Sequence, residues 1–312
     1  MGNANALARN SLVGGFRIDA LLGSGGFGIT YRARNLGLDT DVALKEYFPA
    51  SLAKRQSDQT VASRPDGEEG GYAWGREKFI QEARTLAQLK HPNIVGVNKF
   101  FTGNGTAYMA LDFIEGPNLK NWLSALNRWP TQDELYTLVL PILGALELIH
   151  NKGHLHRDIA PKNIMIAAPL NPILIDFGAA RQLIAHRSHT FAALLTPGYA
   201  PFEQYSAAVK DQGPWTDIYS LAATMYEAIT GRPPPEASER VLNDRFIPAA
   251  EAGRGRYSRS FLDGVDWGLR PLPKHRPQSV AVWRRALIDD PNAKTSILSG
   301  STAIMPAPGR RH

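Results

Sequence analysis

From residue 16 to residue 34, apolar side chains alternate with polar ones around a cluster of glycines. That period of two predicts a pair of strands joined by a tight turn. Residues 42–48 read as a third strand. Residues 53–75, rich in Gly, Ser, Asp and Glu, show no period and read as a long surface loop, either functional or mobile. Phe79, Ala83 and Leu86 then recur at helical spacing among strong helix formers, which predicts a helix over 76–90 stopped by His91-Pro92-Asn93. Two further strands are expected at 94–101 and 107–114.

Beyond residue 117 the pattern becomes helical, with helices expected at 119–126, 132–151, 217–230 and 280–288. Gly231, followed by Pro233, Pro234 and Pro235, closes the third of these. The first fifteen residues are small and polar and read as a flexible arm. After Asp290 the chain is Pro-, Gly-, Ser- and Ala-rich, and residues 291–312 read as a disordered tail. A strand-rich first third and a helix-rich remainder, joined near 113–117, give an α+β fold with two lobes and no internal repeat.

Composition changes this picture little. A hydrophobic fraction of 43% and a charged fraction of 21% over 312 residues suit a globular protein with one sizeable core or two modest ones. The chain has no cysteine, which excludes disulfides, thiolate nucleophiles and Cys-based zinc sites and fits a reducing, cytoplasmic setting. A net charge of +6 is read as a mildly basic solvated surface. Basic residues are scattered apart from Arg310 and Arg311, so nucleic acid is not an expected partner. No run of eighteen apolar residues spans a membrane. The N-terminus has neither the pattern of a secretory signal nor that of a myristoylation signal.

The candidate chemistry begins at Leu22-Gly23-Ser24-Gly25-Gly26-Phe27-Gly28-Ile29-Thr30. Glycines at this spacing allow positive φ and a close approach of backbone to phosphate. A dinucleotide-binding turn shares the spacing but must open a helix, whereas residues 29–33 continue as strand, so a hairpin lid over phosphates is the better reading. Alone, the segment could equally be a plain glycine hairpin. Lys45 on the next strand is placed to hold phosphates as a point charge, with Glu82 as the carboxylate that positions it. Taken singly, each could be an ordinary solvated residue.

The segment His156-Arg157-Asp158-Ile159-Ala160-Pro161-Lys162-Asn163, followed after an apolar strand by Asp176-Phe177-Gly178, changes those odds. With the glycine cluster and Lys45, these residues resemble the protein kinase family from about residue 16 to 288, in the family's order and spacing. The resemblance is to bacterial kinases of the serine/threonine type. It implies a bilobal protein kinase fold: a small antiparallel-sheet N-lobe with one helix (16–113), a hinge (112–117) and a mainly helical C-lobe (118–290).

It also implies roles. Asp158 would accept or orient the substrate hydroxyl proton. Asn163 and Asp176 would ligate two Mg²⁺ ions bridging the phosphates of ATP. The lid Gly23–Ser24–Gly25–Gly26–Phe27–Gly28 and Lys45 would hold those phosphates. Leu22, Thr30, Ala43 and Met165 would sandwich adenine, and the backbone of Asp112 and Ile114 would meet its edge, with Leu111 at the back. Glu203, in Tyr199-Ala200-Pro201-Phe202-Glu203, would pair with Arg276, and Asp217 would anchor the catalytic loop.

Three positions depart from the family pattern. Thr30 stands in place of the usual Val, and the pair before Glu203 is altered. Ala160 occupies the place where Ser/Thr kinases carry Lys, while Lys162 lies where many tyrosine kinases place Arg. Thr196-Pro197-Gly198-Tyr199 favours Ser/Thr, and tyrosine or dual specificity stays open at this point. The expected function is transfer of the γ-phosphate of ATP to Ser or Thr of protein substrates, including a second copy of the chain. Phosphate on Ser188 or Thr190 would pair with Arg157. A pseudokinase or nucleotide-binding scaffold and a small-molecule kinase are the alternatives. Bacterial relatives often carry further C-terminal domains, so a stand-alone kinase and a cut-down one are both compatible with this length.

Overall fold

The computed structural model describes residues 5–64, 70–178, 195–205 and 211–288. Six strands form one antiparallel sheet in the order β1 (Leu12–Val13), β2 (Phe16–Ser24), β3 (Gly28–Asn35), β4 (Thr40–Tyr47), β8 (Thr106–Asp112), β7 (Val97–Gly103). In β4 the alternation is strict: Val42, Leu44 and Glu46 are buried on one face, while Ala43 and Lys45 face the other way. The sheet curls, because Phe16 of β2 stacks on Phe101 of β7 with ring centroids 5.7 Å apart.

Two expectations for this lobe are corrected. Residues 5–15 are not a loose arm: Leu7 and Val13 are buried, the Leu7 N–H donates to the Tyr31 hydroxyl at 3.0 Å, and β1 pairs with β2. Nor are residues 53–75 one long loop. Ala53 and Val61 bury themselves in a short hairpin, β5 (Ala53–Arg55) with β6 (Val61–Ser63). Helix α1 (Gly71–Ala87) then begins earlier than its period suggested, because Tyr72 is buried against Tyr47 at 5.5 Å between ring centroids. The strand expected from 94 begins at Val97, since Ile94 bridges Leu174 instead and the Val95 N–H donates to the Leu174 carbonyl at 3.0 Å.

In the second lobe α2 (Leu119–Ala125) starts at Asn118, whose side chain accepts from the Asn121 N–H. Helix α3 (Gln132–Asn151) starts at Thr131 with a reciprocal capping box to Glu134. The hairpin β9 (Ile164–Ala167) with β10 (Asn171–Leu174) lies under the cleft. At the centre runs α4 (Pro214–Thr230), buried on nearly every side and ended by Gly231 at φ 77°. Helix α5 (Ala237–Leu242) reaches it through Arg240, whose Nη1 donates to the Tyr219 hydroxyl at 3.4 Å, and around it pack α6 (Ala249–Ala252), α7 (Arg259–Gly268) and α8 (Val280–Ile288). The outcome is two lobes joined through residues 112–118, with a cleft between them.

Candidate active site

Two adjoining cavities fill the cleft. The inner, of about 670 Å³, is lined by Leu22, Thr30, Ala43, Leu111, Asp112, Ile114 and Met165, together with Val95, Phe113 and Ile175. The outer, of about 390 Å³, runs beneath residues 23–28 and takes in Glu82, Asn163, Phe177 and Thr196. Gly23, Thr30, Lys45, Lys162 and Asp176 line both. Every site residue expected from the sequence therefore borders one cavity or the other, save Asp158, which lies just behind Asn163 and Thr196. An apolar inner pocket opening into a polar outer one suits a flat heterocycle joined to phosphates.

The lid is a hairpin continuous with β2 and β3, closed by the Gly25 N–H donating to the Gly28 carbonyl at 2.9 Å. Its glycines do not adopt the positive φ expected of them. Gly28 is required for another reason: a Cβ there would lie 2.6 Å from the carbonyl oxygen of Glu46. Gly23, Gly25 and Gly26 leave open space where side chains would project.

Lys45 projects from β4 into the cleft, and its Nζ donates to Oδ1 of Asp176 at 2.7 Å. Glu82, buried on α1, borders the same cavity. The α1 helix presents Glu82 here because Phe79, one turn earlier, packs on Tyr47, two residues beyond Lys45, at 5.7 Å between ring centroids. Tyr47, Phe79, Val95 and Ile175 were not expected from the sequence to line the cleft, Phe79 being read only as part of a helix face. Tyr47 shares Lys45's strand face and was the one legible by period alone.

Asp158 is held on both carboxylate oxygens: Asn163 Nδ2 donates to Oδ2 at 2.7 Å and to the Asp158 carbonyl at 2.8 Å, while the Thr196 hydroxyl donates to Oδ1 at 2.8 Å. With its nitrogen spent on two acceptors, the Asn163 amide keeps its oxygen for a cation. That oxygen and the Asp176 carboxylate are the hard donors Mg²⁺ prefers, and they fit a cation whose remaining ligands come from phosphate and water. Among the described residues no cluster of three or more His, Asp or Glu forms an all-protein metal cage.

Behind the loop, the fully buried Asp217 of α4 accepts from the His156 N–H at 2.9 Å, the Arg157 N–H at 2.8 Å and His150 Nε2 at 2.8 Å. Burial pushes this carboxyl up, but His150 and these backbone donors outweigh it and hold it below the usual carboxylate range. Arg157 sits at φ 69°, strained for a bulky side chain. Its N–H is fixed by Asp217 and its carbonyl accepts from Gln204 Nε2 at 2.8 Å, so both neighbours enforce the conformation. His156 is buried against Phe177, ring centroids 4.4 Å apart, and burial pushes its imidazole down toward the neutral form. The expected Glu203–Arg276 pair is present, bidentate at 2.7 and 3.1 Å and buried on both sides. Ser188 and Thr190 lie outside the described residues.

A two-lobed fold with a glycine hairpin over a cleft, a strand lysine and an Asp–Asn loop facing a second Asp is an arrangement suited to a nucleotide-dependent phosphotransferase. The chain belongs to the protein kinase family: a family profile described as protein kinase domain matches residues 16–277. It is 30% identical over 292 residues, 87% of its length, to serine/threonine-protein kinase pkn3 of Myxococcus xanthus. To serine/threonine-protein kinase PknF of Mycobacterium tuberculosis it is 33% identical over 295 residues, 90% of its length. The chain spans about half the length of these curated relatives, 49% of the first and 57% of the second. Among solved structures, the apo form of PpkA-294 superposes with a TM-score of 0.83 at 39% identity, covering 91% of this chain and 100% of that one. The kinase domain of Mycobacterium tuberculosis PknI gives 0.68 at 25% identity, covering 90% and 98%.

Proposed function

We propose that this chain transfers the γ-phosphate of ATP to Ser and Thr hydroxyls of proteins. The observation that carries the reading is Asp158 gripped on one oxygen by Asn163 and on the other by Thr196, beside Lys45 and Asp176. Lys45 holds the phosphate chain, and the lid of residues 23–28 covers it from water. Asn163 and Asp176 are the residues that would hold Mg²⁺, as two ions in this reading. Mg²⁺ supplies charge neutralisation on the phosphate oxygens when bound. Asp158 orients the acceptor hydroxyl and receives its proton as the new P–O bond forms and the bond to the departing nucleoside diphosphate breaks. Lys162 stabilises charge on the transferred group from the opposite wall.

The choice of Ser and Thr is supported by the Thr196 contact and by the named activities of the relatives. Action on a second copy of the chain, with phosphate on Ser188 or Thr190 pairing with Arg157, belongs to the same reading. The Arg157 Nε is buried and has no hydrogen-bond partner among the described residues. A cytoplasmic setting fits a sequence without cysteine, and no helix among the described residues is long and apolar enough to cross a membrane.

Incubation with labelled ATP, Mg²⁺ and generic protein acceptors, beside Asp158→Ala, tests the proposal. Label on Ser or Thr that is lost in the variant is expected. Equal label in both, or none despite bound nucleotide, would end it. Phosphopeptide analysis after ATP incubation tests the last step, and an unmodified segment 179–200 would remove it.

A further inference from the structure

Next to Lys45 on β4, and on the opposite face, Glu46 is completely buried. An isolated carboxylate there would be prohibitively costly, and this one is satisfied three times over. Oε2 accepts from the Tyr31 hydroxyl at 2.8 Å and from Arg55 Nη2 at 2.6 Å, and Oε1 accepts from the Tyr108 hydroxyl at 2.7 Å. Among the described residues the cation of the group is Arg55, from the short hairpin β5–β6, its side chain 4% exposed. Arg55 also reaches the Asn5 carbonyl at 2.6 Å and the Gln59 carbonyl at 3.0 Å. Its guanidinium lies over the Phe48 ring, 5.2 Å from the centroid.

The ion pair closes residues 46–55 into a loop, and the apex of that loop touches the lid. The Phe48 N–H donates to the Phe27 carbonyl at 3.1 Å, and the Ala50 N–H donates to the Gly26 carbonyl at 3.3 Å. Pro49 accepts from the N–H groups of Leu52 and Ala53, each at 2.8 Å, so the segment turns compactly back into β5. Two lid carbonyls are therefore held by a strap whose near end is β4 and whose far end is pinned to β4 again through Arg55 and Glu46. A short loop clamped at its neck has little freedom left to move its apex.

Resting on the kinase reading above, we propose that Arg55 is a positioning residue for the nucleotide. Through Glu46 it fixes the strap 48–50, and the strap sets the height of the glycine lid over the phosphates. Arg55 touches no reacting atom. Its effect falls on the binding of ATP, because the lid covers the phosphates before any transfer, and the protein acceptor is not touched by the strap.

Three variants separate positioning from stability. Arg55→Met keeps the stem and removes the cation, leaving Glu46 buried and unpaired. Glu46→Gln removes the charge. The double variant Glu46→Gln/Arg55→Met removes both and relieves the unpaired carboxylate. Each is compared with the wild-type chain by thermal unfolding, by titration with Mg²⁺–ATP well below the melting temperature, and by KM for ATP and for a protein acceptor.

Arg55→Met is expected to melt well below the wild type. The double variant is expected to recover much of that loss while its Kd and KM for ATP stay raised, by roughly five- to tenfold, because the strap has lost its far anchor. KM for the protein acceptor is expected to stay within about twofold. If nucleotide affinity recovers together with melting temperature, or never changes in the double variant, Arg55 is structural only and the inference is overturned. Absence of nucleotide binding by the wild-type chain would instead overturn the kinase reading, and this inference with it.

Discussion

The Thr196 hydroxyl donates to Oδ1 of Asp158 at 2.8 Å, across 38 residues of sequence, while the other carboxylate oxygen is taken by Asn163. The carboxylate is thereby fixed in plane, and the segment after residue 195 is tied to the catalytic loop. Thr196→Ala is expected to lower kcat about tenfold, with KM for ATP little changed, because in the proposed reaction the lost contact orients Asp158 rather than the nucleotide. Thr196→Ser keeps the hydroxyl and should retain most activity. Steady-state kinetics of the two variants decide the point, and equal losses would point to packing by the Thr methyl instead.

Arg276 is buried with Glu203 and spends its remaining donors on the carbonyls of Arg270, Pro271 and Trp215, at 2.6, 2.7 and 3.2 Å. Glu203 accepts a further bond from the Thr216 hydroxyl at 2.9 Å. Removing one partner leaves an uncompensated buried charge, so Arg276→Met should cost about 3–5 kcal/mol. Arg276→Lys should rescue little, since an ammonium cannot reproduce the fork. Urea unfolding midpoints measure both.

Which of these features could be read in the sequence follows from what each residue has to do. Most residues bordering the cleft were legible through the resemblance of the glycine hairpin, Lys45, the 156–163 segment and Asp176-Phe177-Gly178 to the kinase pattern, whereas Tyr47, Phe79, Val95 and Ile175 line it by packing that no motif marks. Helix α3 was legible from its helical pattern over 132–151, with Pro141 inside it, while its cap at Thr131 shows only in the structure. Helix α7 was missed because Gly264 and Gly268 look like breakers. In the structure they permit close helix packing, for a Cβ would lie 2.9 Å from Leu287 at one and 2.7 Å from Ala222 at the other. The β5–β6 hairpin was missed because two three-residue strands carry almost no period. Glu46 was missed because a strand glutamate is ordinarily exposed, and only tertiary structure brings Arg55, Tyr31 and Tyr108 to it.

His156 and Asp217 predict how the catalytic loop responds to acid. Burial keeps His156 neutral, its folded pKa lying below the ordinary value. The unfolded chain therefore binds the proton first, and stability falls as pH drops below about 6.5, by at most about 1.4 kcal/mol per unit for this group. The Asp217 carboxyl is depressed in the fold, so its contribution is complete above the ordinary carboxylate pKa of about 3.9 and is lost as pH falls through the lower folded value. Thermal unfolding between pH 7 and 5 should show a slope that is reduced in His156→Phe, and an unchanged slope would assign the acid response to other groups.

Lys162 carries the last prediction. It sits in the single turn Pro161–Asn163 between Asp158 and β9, is exposed, and borders both cavities together with Lys45. Ala160, where a cation is usual in this type of kinase, is 1% exposed. In the proposed reaction Lys162 is the cation of this loop placed to meet the transferred phosphoryl group. If Lys45 and the lid hold the bound nucleotide, as proposed above, Lys162 is left to act on charge that develops during transfer. Lys162→Ala should therefore lower kcat about a hundredfold while KM for ATP moves less than about threefold, and Lys162→Arg should retain roughly a tenth of the activity. A rise in KM with kcat intact would place Lys162 in nucleotide binding and leave the transferred group without a cation from this loop.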